Sequence, residues 1–265
     1  MKYKVIASDM DETLLNDQHV ICQRNIDLIR LAKEKGVKFV PATGRGFMSI
    51  QRDLKLLGLY DIPQEYVISF NGGALTENKN NQLLYFEGLS FEKTKEIFEF
   101  GLQQDVCQHI YTKDKVYVFN LSESEAKRIQ EQQVECEIMT ENSMDFLKDE
   151  PISKILFQNT DVPYLMSLEP QMKSITEGMC AVSYSSNRYM EFNKIGVDKG
   201  EGLKHLAQII GVDLSECIAV GDNYNDLPML KCVDIPITLN TSPQPLKDIS
   251  QLHVESVAQA IKELL

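Results

Sequence analysis

Val5-Ile6-Ala7-Ser8-Asp9-Met10-Asp11-Glu12-Thr13 decides the fold. Its first four residues form a short apolar strand, and the polarity changes abruptly at Asp9. Side chains two apart on an extended segment point the same way, so Asp9 and Asp11 project together from the strand's carboxyl end. In open α/β sheets that edge is where ligands bind. Two carboxylates this close repel each other unless a cation or a shared proton relieves them. The pair suits hard-metal binding combined with nucleophilic and acid–base chemistry. Alone, the pentapeptide from Asp9 to Thr13 also fits a solvated, Asp-rich turn.

Outward from this strand, the first third of the chain alternates strands and helices. Residues 21–35 have helical spacing and end at Gly36, Val37–Ala42 is apolar, 47–57 is helical and ends at Gly58, and Tyr66–Phe70 is a third strand. Apolar strands joined by helices of this length predict a parallel sheet covered on both faces. The pattern returns late: helix 198–210, strand 217–220, helix 226–233, strand 235–239 and a closing helix over 254–265. Between these halves, short strands are expected at 83–86, 108–111, 116–119, 154–158, 180–184 and 188–192. Helical stretches at 91–104, 123–133 and 162–174 are interleaved with them. Strands 108–111 and 116–119, split by Lys113-Asp114-Lys115, read as a hairpin. The expected organisation is an α/β Rossmann-like core over residues 1–83 and 191–265, with an α+β domain over 84–190 inserted into it.

Three more motifs fall at inferred strand ends or helix starts. Gly221-Asp222-Asn223-Tyr224-Asn225-Asp226 follows an apolar strand, and Gly221 permits a tight exit that places Asp222 at the same sheet edge. Asp222 is a candidate to complete an oxygen-rich Mg²⁺ site with Asp9 and Asp11. Asp226 is expected to cap its helix and to support the metal site from outside its ligand shell. Thr43-Gly44-Arg45 offers a hydroxyl and free backbone N–H groups to an anion, although Thr-Gly also serves as an ordinary cap. Arg45 is read as a solvated arginine. Lys199 opens a helix whose N-cap is Asp198; a cation there opposes the helix dipole, which makes it a candidate to pair with Asp9 and a phosphate. Asn71-Gly72-Gly73 is read as a turn, and the four histidines as structural or surface residues. Independent explanations for so many polar motifs on one sheet edge are improbable.

Composition limits the partners. Of 265 residues, 43% are hydrophobic and 25% charged, which suits a soluble globular chain with ample core. A net charge of -12 argues against nucleic acid and against docking on anionic lipid. It does not exclude a phosphorylated substrate, because a metal or a few placed cations can reverse the field locally. No apolar run approaches the length of a membrane span. The six scattered cysteines form no CxxC pair, and the N-terminus lacks a secretory pattern, so a cytoplasmic location is expected.

Taken together, Asp9-Met10-Asp11-Glu12-Thr13-Leu14-Leu15, Thr43-Gly44-Arg45, Asn71-Gly72-Gly73, Asp198-Lys199-Gly200 and Gly221-Asp222-Asn223-Tyr224-Asn225-Asp226 resemble the motif set of the haloacid dehalogenase superfamily, within it the Cof-type phosphatases. The motifs run in the family's order from residue 9 to 226. The resemblance implies a Rossmann-like core and an α+β cap over an active site. It implies Asp9 as nucleophile and Asp11 as the acid, then the base. Mg²⁺ would be held by Asp9, the backbone carbonyl of Asp11, and Asp222. Met10 through its backbone, Thr43, the Gly44 amide, Lys199 and Asn225 would surround the phosphate. The substrate would be a small phosphorylated metabolite, a sugar phosphate or phosphorylated cofactor. A phosphomutase or phosphotransferase using the same aspartate, or a regulatory phosphoacceptor, remain as alternatives. Two departures stand out: Glu12 occupies a position where the family usually has Gly, and Ile237-Thr238-Leu239-Asn240-Thr241-Ser242-Pro243 only loosely matches a short Asn-Ala segment.

Overall fold

The computed structural model describes residues 2–16, 18–132 and 134–264. The chain divides into two compact units, Met1–Phe86 with Val197–Leu265, and Glu87–Gly196. In chain order, the first unit begins with β1 (Val5–Asp9), β2 (Lys38–Ala42), β3 (Tyr66–Ser69), β4 (Ala74–Glu77) and β5 (Gln82–Phe86). The second unit contributes β6 (Cys107–Thr112), β7 (Val116–Phe119), β8 (Glu137–Ile138), β9 (Ile152–Gln158), β10 (Cys180–Ser185) and β11 (Tyr189–Lys194). The chain then returns to the first unit with β12 (Cys217–Gly221), β13 (Ile235–Leu239) and β14 (Leu252–Val254).

The first unit holds an eight-stranded sheet in the order β14-β13-β12-β1-β2-β3-β4-β5. The strands from β14 to β3 run parallel, and β4 and β5 add an antiparallel edge. Every residue of β1 is buried, as a parallel strand covered on both faces requires. On one face Val5, Ala7, Val40, Ala42 and Ala219 pack with Leu203, Leu206, Met229 and Leu230 of the helices Lys199–Ile210 and Leu227–Lys231. The buried Asn25 of the helix Gln23–Glu34 donates to the Leu14 carbonyl at 3.2 Å and accepts from the Ala258 amide at 2.8 Å. It thereby ties the loop after β1 to the helix Val257–Leu264. The expected α/β class with a parallel Rossmann-like sheet is what the structure has.

The second unit is a six-stranded sheet in the order β10-β11-β9-β6-β7-β8. One face packs Ile110, Phe119, Ile155, Phe157, Met190 and Phe192 against Ile97, Phe98, Leu165 and Leu168 of the helices Phe91–Gly101 and Val162–Leu168. The expected hairpin of β6 and β7 is present.

Several boundaries move. The division between units falls after Phe86 and after Gly196, not at 84 and 190, because β5 pairs with β4 in the first sheet and β11 with β9 and β10 in the second. The helix expected over 47–57 opens with a 3₁₀ turn, Phe47–Ile50. The expected closing helix starts later, at Val257, since Val254 belongs to β14. The 162–174 helix breaks into Val162–Leu168 and a 3₁₀ turn, Glu169–Met172, that holds Pro170. The expected ends at Gln133 and Leu265 lie outside the described residues.

Candidate active site

Register brings the motifs to one edge. Asp9 ends β1 opposite Ala42, the last residue of β2, so Thr43 leaves the sheet beside it. Ser8 pairs with Val220 on the other side, so Gly221 and Asp222 leave there too. The loop after β1 is closed by the Met10 carbonyl, which accepts from Leu14 N at 3.0 Å and Leu15 N at 2.8 Å. This bend points the chain back while the Met10 side chain stays buried.

Lys199 is the centre of the arrangement. Although it is the first residue of its helix, it is fully buried, and Asp198 caps the helix by accepting from Glu201 N at 2.9 Å. Its ammonium donates to Asp9 Oδ1 and, at 2.6 Å, to Asp226 Oδ1. Asp9, Asp222 and Asp226 each place a carboxylate oxygen within 4.8 Å of the others. Three carboxylates around one ammonium leave two negative charges uncompensated. Burial accordingly pushes the Asp9 carboxyl up to about 7; Lys199 pulls it down, while Asp226 and Asp222 push it further up. Asp222 is raised too, first by burial, with Asp226 and Glu12 adding to it against the Thr13 hydrogen bond. Burial works against the charge on Lys199, yet Asp9 and Asp226 hold its ammonium above the usual lysine range.

The three carboxylates are not equally free. Asp226 Oδ2 accepts from the amides of Asp222 at 2.9 Å and Asn223 at 3.1 Å, and its other oxygen is taken by Lys199. Asp9 and Asp222 each keep one oxygen beyond their bonds to Lys199 and to Thr13 Oγ1, the latter at 2.6 Å. Two open carboxylate oxygens amid two excess negative charges fit a hard divalent cation. Asp226 does not cap its helix as expected. Asn223 is the cap, and Asp226 closes a capping box from the third position because a 3₁₀ turn, Tyr224–Asp226, opens the helix early. Gly221 makes this possible: a Cβ there would lie 2.5 Å from the Cβ of Asp226.

Asp11 behaves differently from Asp9. Its carboxylate faces Arg45, whose Nε donates to Oδ2 at 2.9 Å while Nη2 meets Oδ1. Arg45 is therefore not a free surface arginine, and an Asp11 contact to a metal would fall to its backbone. His19, largely exposed, has Nδ1 3.9 Å from Asp11 Oδ1. Thr43 Oγ1 accepts from Arg45 N at 3.0 Å, which sets the turn. Asn71 also belongs here and is more than a turn residue. Its Oδ1 accepts from Asn225 Nδ2 at 3.4 Å and lies 3.1 Å from where a Gly44 Cβ would stand. The following Gly72, at φ +95°, passes so close to the Asp198 carbonyl that a Cβ would sit 1.9 Å from its oxygen. The loop after β3 thus joins Gly44, Asn225 and the start of the Lys199 helix.

Glu12 adopts φ 61°, a left-handed conformation that favours glycine. Glu12→Gly is expected to raise stability by about 1 kcal/mol, because relief of backbone strain exceeds the extra flexibility gained in the unfolded chain. Urea denaturation checks this; a destabilised variant would mean that the Glu12 side chain supports the loop.

The sequence matches the haloacid dehalogenase-like hydrolase family over residues 6–261, nearly its whole length. The chain belongs to the haloacid dehalogenase-like hydrolases. Curated relatives of this hydrolase are named as phosphatases. The Bacillus subtilis protein named "Putative phosphatase YxeH" is 27% identical, spanning 99% of this chain and 98% of its own. A Streptococcus pyogenes protein, "Putative phosphatase M6_Spy0533", is 28% identical with the same coverage. The crystal structure of a haloacid dehalogenase-like hydrolase from Bacteroides thetaiotaomicron superposes with a TM-score of 0.88 at 25% identity, covering 99% of this chain and all of that one. Membership in this family agrees with the observed carboxylate cluster at the carboxyl edge of a parallel sheet.

Proposed function

We propose that this hydrolase is a Mg²⁺-dependent phosphatase that cleaves a small phosphorylated metabolite through a phosphoryl group carried on Asp9. The observation that carries the reading is the buried Lys199 held between Asp9 and Asp226, with Asp222 beside them. This pairing anchors and orients the Asp9 carboxylate, with one oxygen on Lys199 and the other open to an ion.

Asp9 and Asp222 would hold the ion, with Asp226 fixing Lys199 and the Asp222 turn from outside. When bound, Mg²⁺ supplies charge neutralisation for the phosphate and for Asp9. Thr43, the Gly44 amide, the Met10 backbone, Lys199 and Asn225 bind and orient the phosphoryl oxygens. The Asp9 oxygen paired with Lys199 attacks phosphorus in line, the other oxygen being the one that would hold the ion, and the phosphorus–oxygen bond to the leaving group breaks. Asp11, protonated at that moment, gives its proton to the departing oxygen. The Asp11 carboxylate so formed takes a proton from water, whose oxygen attacks phosphorus and displaces Asp9. Inorganic phosphate leaves and Asp9 is restored. Arg45 is bonded to both Asp11 oxygens, so Asp11 turns away from Arg45 to reach the leaving group.

The test is Asp11→Asn with p-nitrophenyl phosphate, whose leaving group needs little protonation. Steady-state release is expected to fall about 10²–10⁴-fold. Phosphorylation should be impaired less than hydrolysis, so intact mass should reveal one phosphoryl group on Asp9. Unchanged rate and adduct lifetime would show that Asp11 is neither acid nor base. A long-lived adduct in the unaltered protein, with slow turnover on every ester tried, would instead identify a phosphoacceptor.

A further inference from the structure

Ile237-Thr238-Leu239-Asn240-Thr241-Ser242-Pro243, the segment that departs from the family's pattern, ends β13 and turns away from the sheet. Two of its side chains, Thr238 and Ser242, are buried, at 0% and 5% exposure. The Ser242 amide donates to the Leu239 carbonyl at 3.1 Å, and this turn brings the serine back over the end of β13. There the Thr238 hydroxyl lies 2.7 Å from Ser242 Oγ and 2.8 Å from the Gly221 carbonyl oxygen. A carbonyl only accepts, and a threonine hydroxyl has one proton to give. Thr238 therefore donates to Gly221, and Ser242 donates to Thr238.

The Gly221 carbonyl and the Asp222 N–H are the two polar ends of one planar peptide unit. Asp226 Oδ2 accepts from that N–H at 2.9 Å. The plane is thus held at its oxygen by Thr238 and at its nitrogen by Asp226. It cannot swing about its Cα–Cα axis without breaking a buried hydrogen bond, which costs the desolvation of the group left unpaired. Such a swing would change ψ of Gly221 and φ of Asp222, and with φ the direction in which the Asp222 side chain leaves the backbone. The carboxylate itself is fixed by Thr13 Oγ1 at 2.6 Å, which leaves its other oxygen open. That open oxygen is therefore aimed partly from β13, a strand that contributes no ligand of its own.

We propose that Thr238, braced by Ser242, is a positioning residue for Asp222 and gives the cation site its preference for Mg²⁺ over Ca²⁺. The inference rests on the Mg²⁺ site proposed above. Mg²⁺ demands near-ideal octahedral ligands at short range, whereas Ca²⁺ accepts looser and more variable sets. Loosening the peptide that aims Asp222 therefore penalises the smaller ion more than the larger one. Residues that orient a ligand without touching the metal commonly matter about 10–100-fold in affinity.

The test is calorimetric titration of the metal-free, full-length protein with MgCl₂ and with CaCl₂. Thr238→Val keeps the shape and removes the donor; it is expected to weaken Mg²⁺ about tenfold and Ca²⁺ by no more than about twofold. Ser242→Ala should weaken Mg²⁺ about threefold, since Thr238 keeps its bond to Gly221, and it decides if Thr238→Val does not fold. Thr238→Ser, which retains the hydroxyl, should stay within about twofold of the parent for both ions. Thr76→Val is the control. Thr76 is likewise buried in the same sheet, on β4, but its hydroxyl has no hydrogen-bond partner, so its loss should move neither ion. The proposal alone is overturned if the parent binds Mg²⁺ and the Thr238→Val and Ser242→Ala proteins bind it as tightly. Equal losses for the two ions, or the same effect from Thr76→Val, would overturn it too, because a merely structural role predicts them. A parent that binds no Mg²⁺ would remove the metal assignment itself, and this inference with it.

Discussion

Asp9→Asn is expected to lower phosphate release by about 10⁴-fold or more, while the purified protein becomes more stable in metal-free buffer at pH 8. The activity follows from chemistry, since an amide is nearly isosteric with the carboxylate but a very poor nucleophile. The stability follows from crowding of charge. Unfolded, the Asp9 carboxyl titrates near 3.8; folded, burial and the neighbouring carboxylates push it up to about 7. A raised carboxyl favours the fold below the lower value, and that contribution is lost as pH rises through the higher one. Asn makes no such demand. The two proteins should therefore unfold alike near pH 4 and differ by about 4 kcal/mol at pH 8, the parent being the weaker. Added Mg²⁺ should close the gap by stabilising the parent alone. Denaturant titrations at both pH values check this. A variant that keeps near-normal phosphate release would end the covalent mechanism.

Lys199→Met is expected to act in the opposite direction on stability. Removing the ammonium leaves Asp9 and Asp226 buried side by side without their counter-ion. Breaking a buried pair from one side costs about 3–5 kcal/mol. The loss should be smaller at pH 5, where Asp9 can take up a proton, than at pH 8. Turnover should fall about 10³-fold as well, because the phosphate loses its buried positive charge. Lys199→Arg should not restore it: a guanidinium is wider than the space between two aspartates and cannot act as a compact point charge. Unaltered stability at pH 8 would mean that the Asp9–Lys199–Asp226 cluster is not charged as described.

Much of this was legible in the chain. The alternation of strands and helices gave the sheet, and Asp9, Thr43, Lys199 and Asp222 were marked out because each polar motif follows an apolar strand or opens a helix. What sequence hid were relations between distant residues. Arg45 reads as a solvated arginine because its partner, Asp11, lies 34 residues away. Asn71 reads as a turn residue because Asn225, which bonds to it, lies 154 positions later. A carboxylate three residues after Asn223 is equally good as the cap of the next turn, so the role of Asp226 depended on where the helix began. Strand β5 was assigned to the wrong unit because only its pairing with β4, whose short run carries no strong strand pattern, shows which sheet it joins.

The position of β1 also bears on how the protein is made. One of its edges is paired by β2, some thirty residues away, but the other waits for β12, which begins at Cys217. During synthesis the central strand must stand half-finished, with its backbone N–H and C=O groups open on one side, while about two hundred residues emerge. An open apolar strand is a template for pairing with another chain. The interval between translation of β1 and of β12 is thus the period in which nascent chains are most prone to associate wrongly, and ribosomal stalling shortly before Cys217 would prolong it.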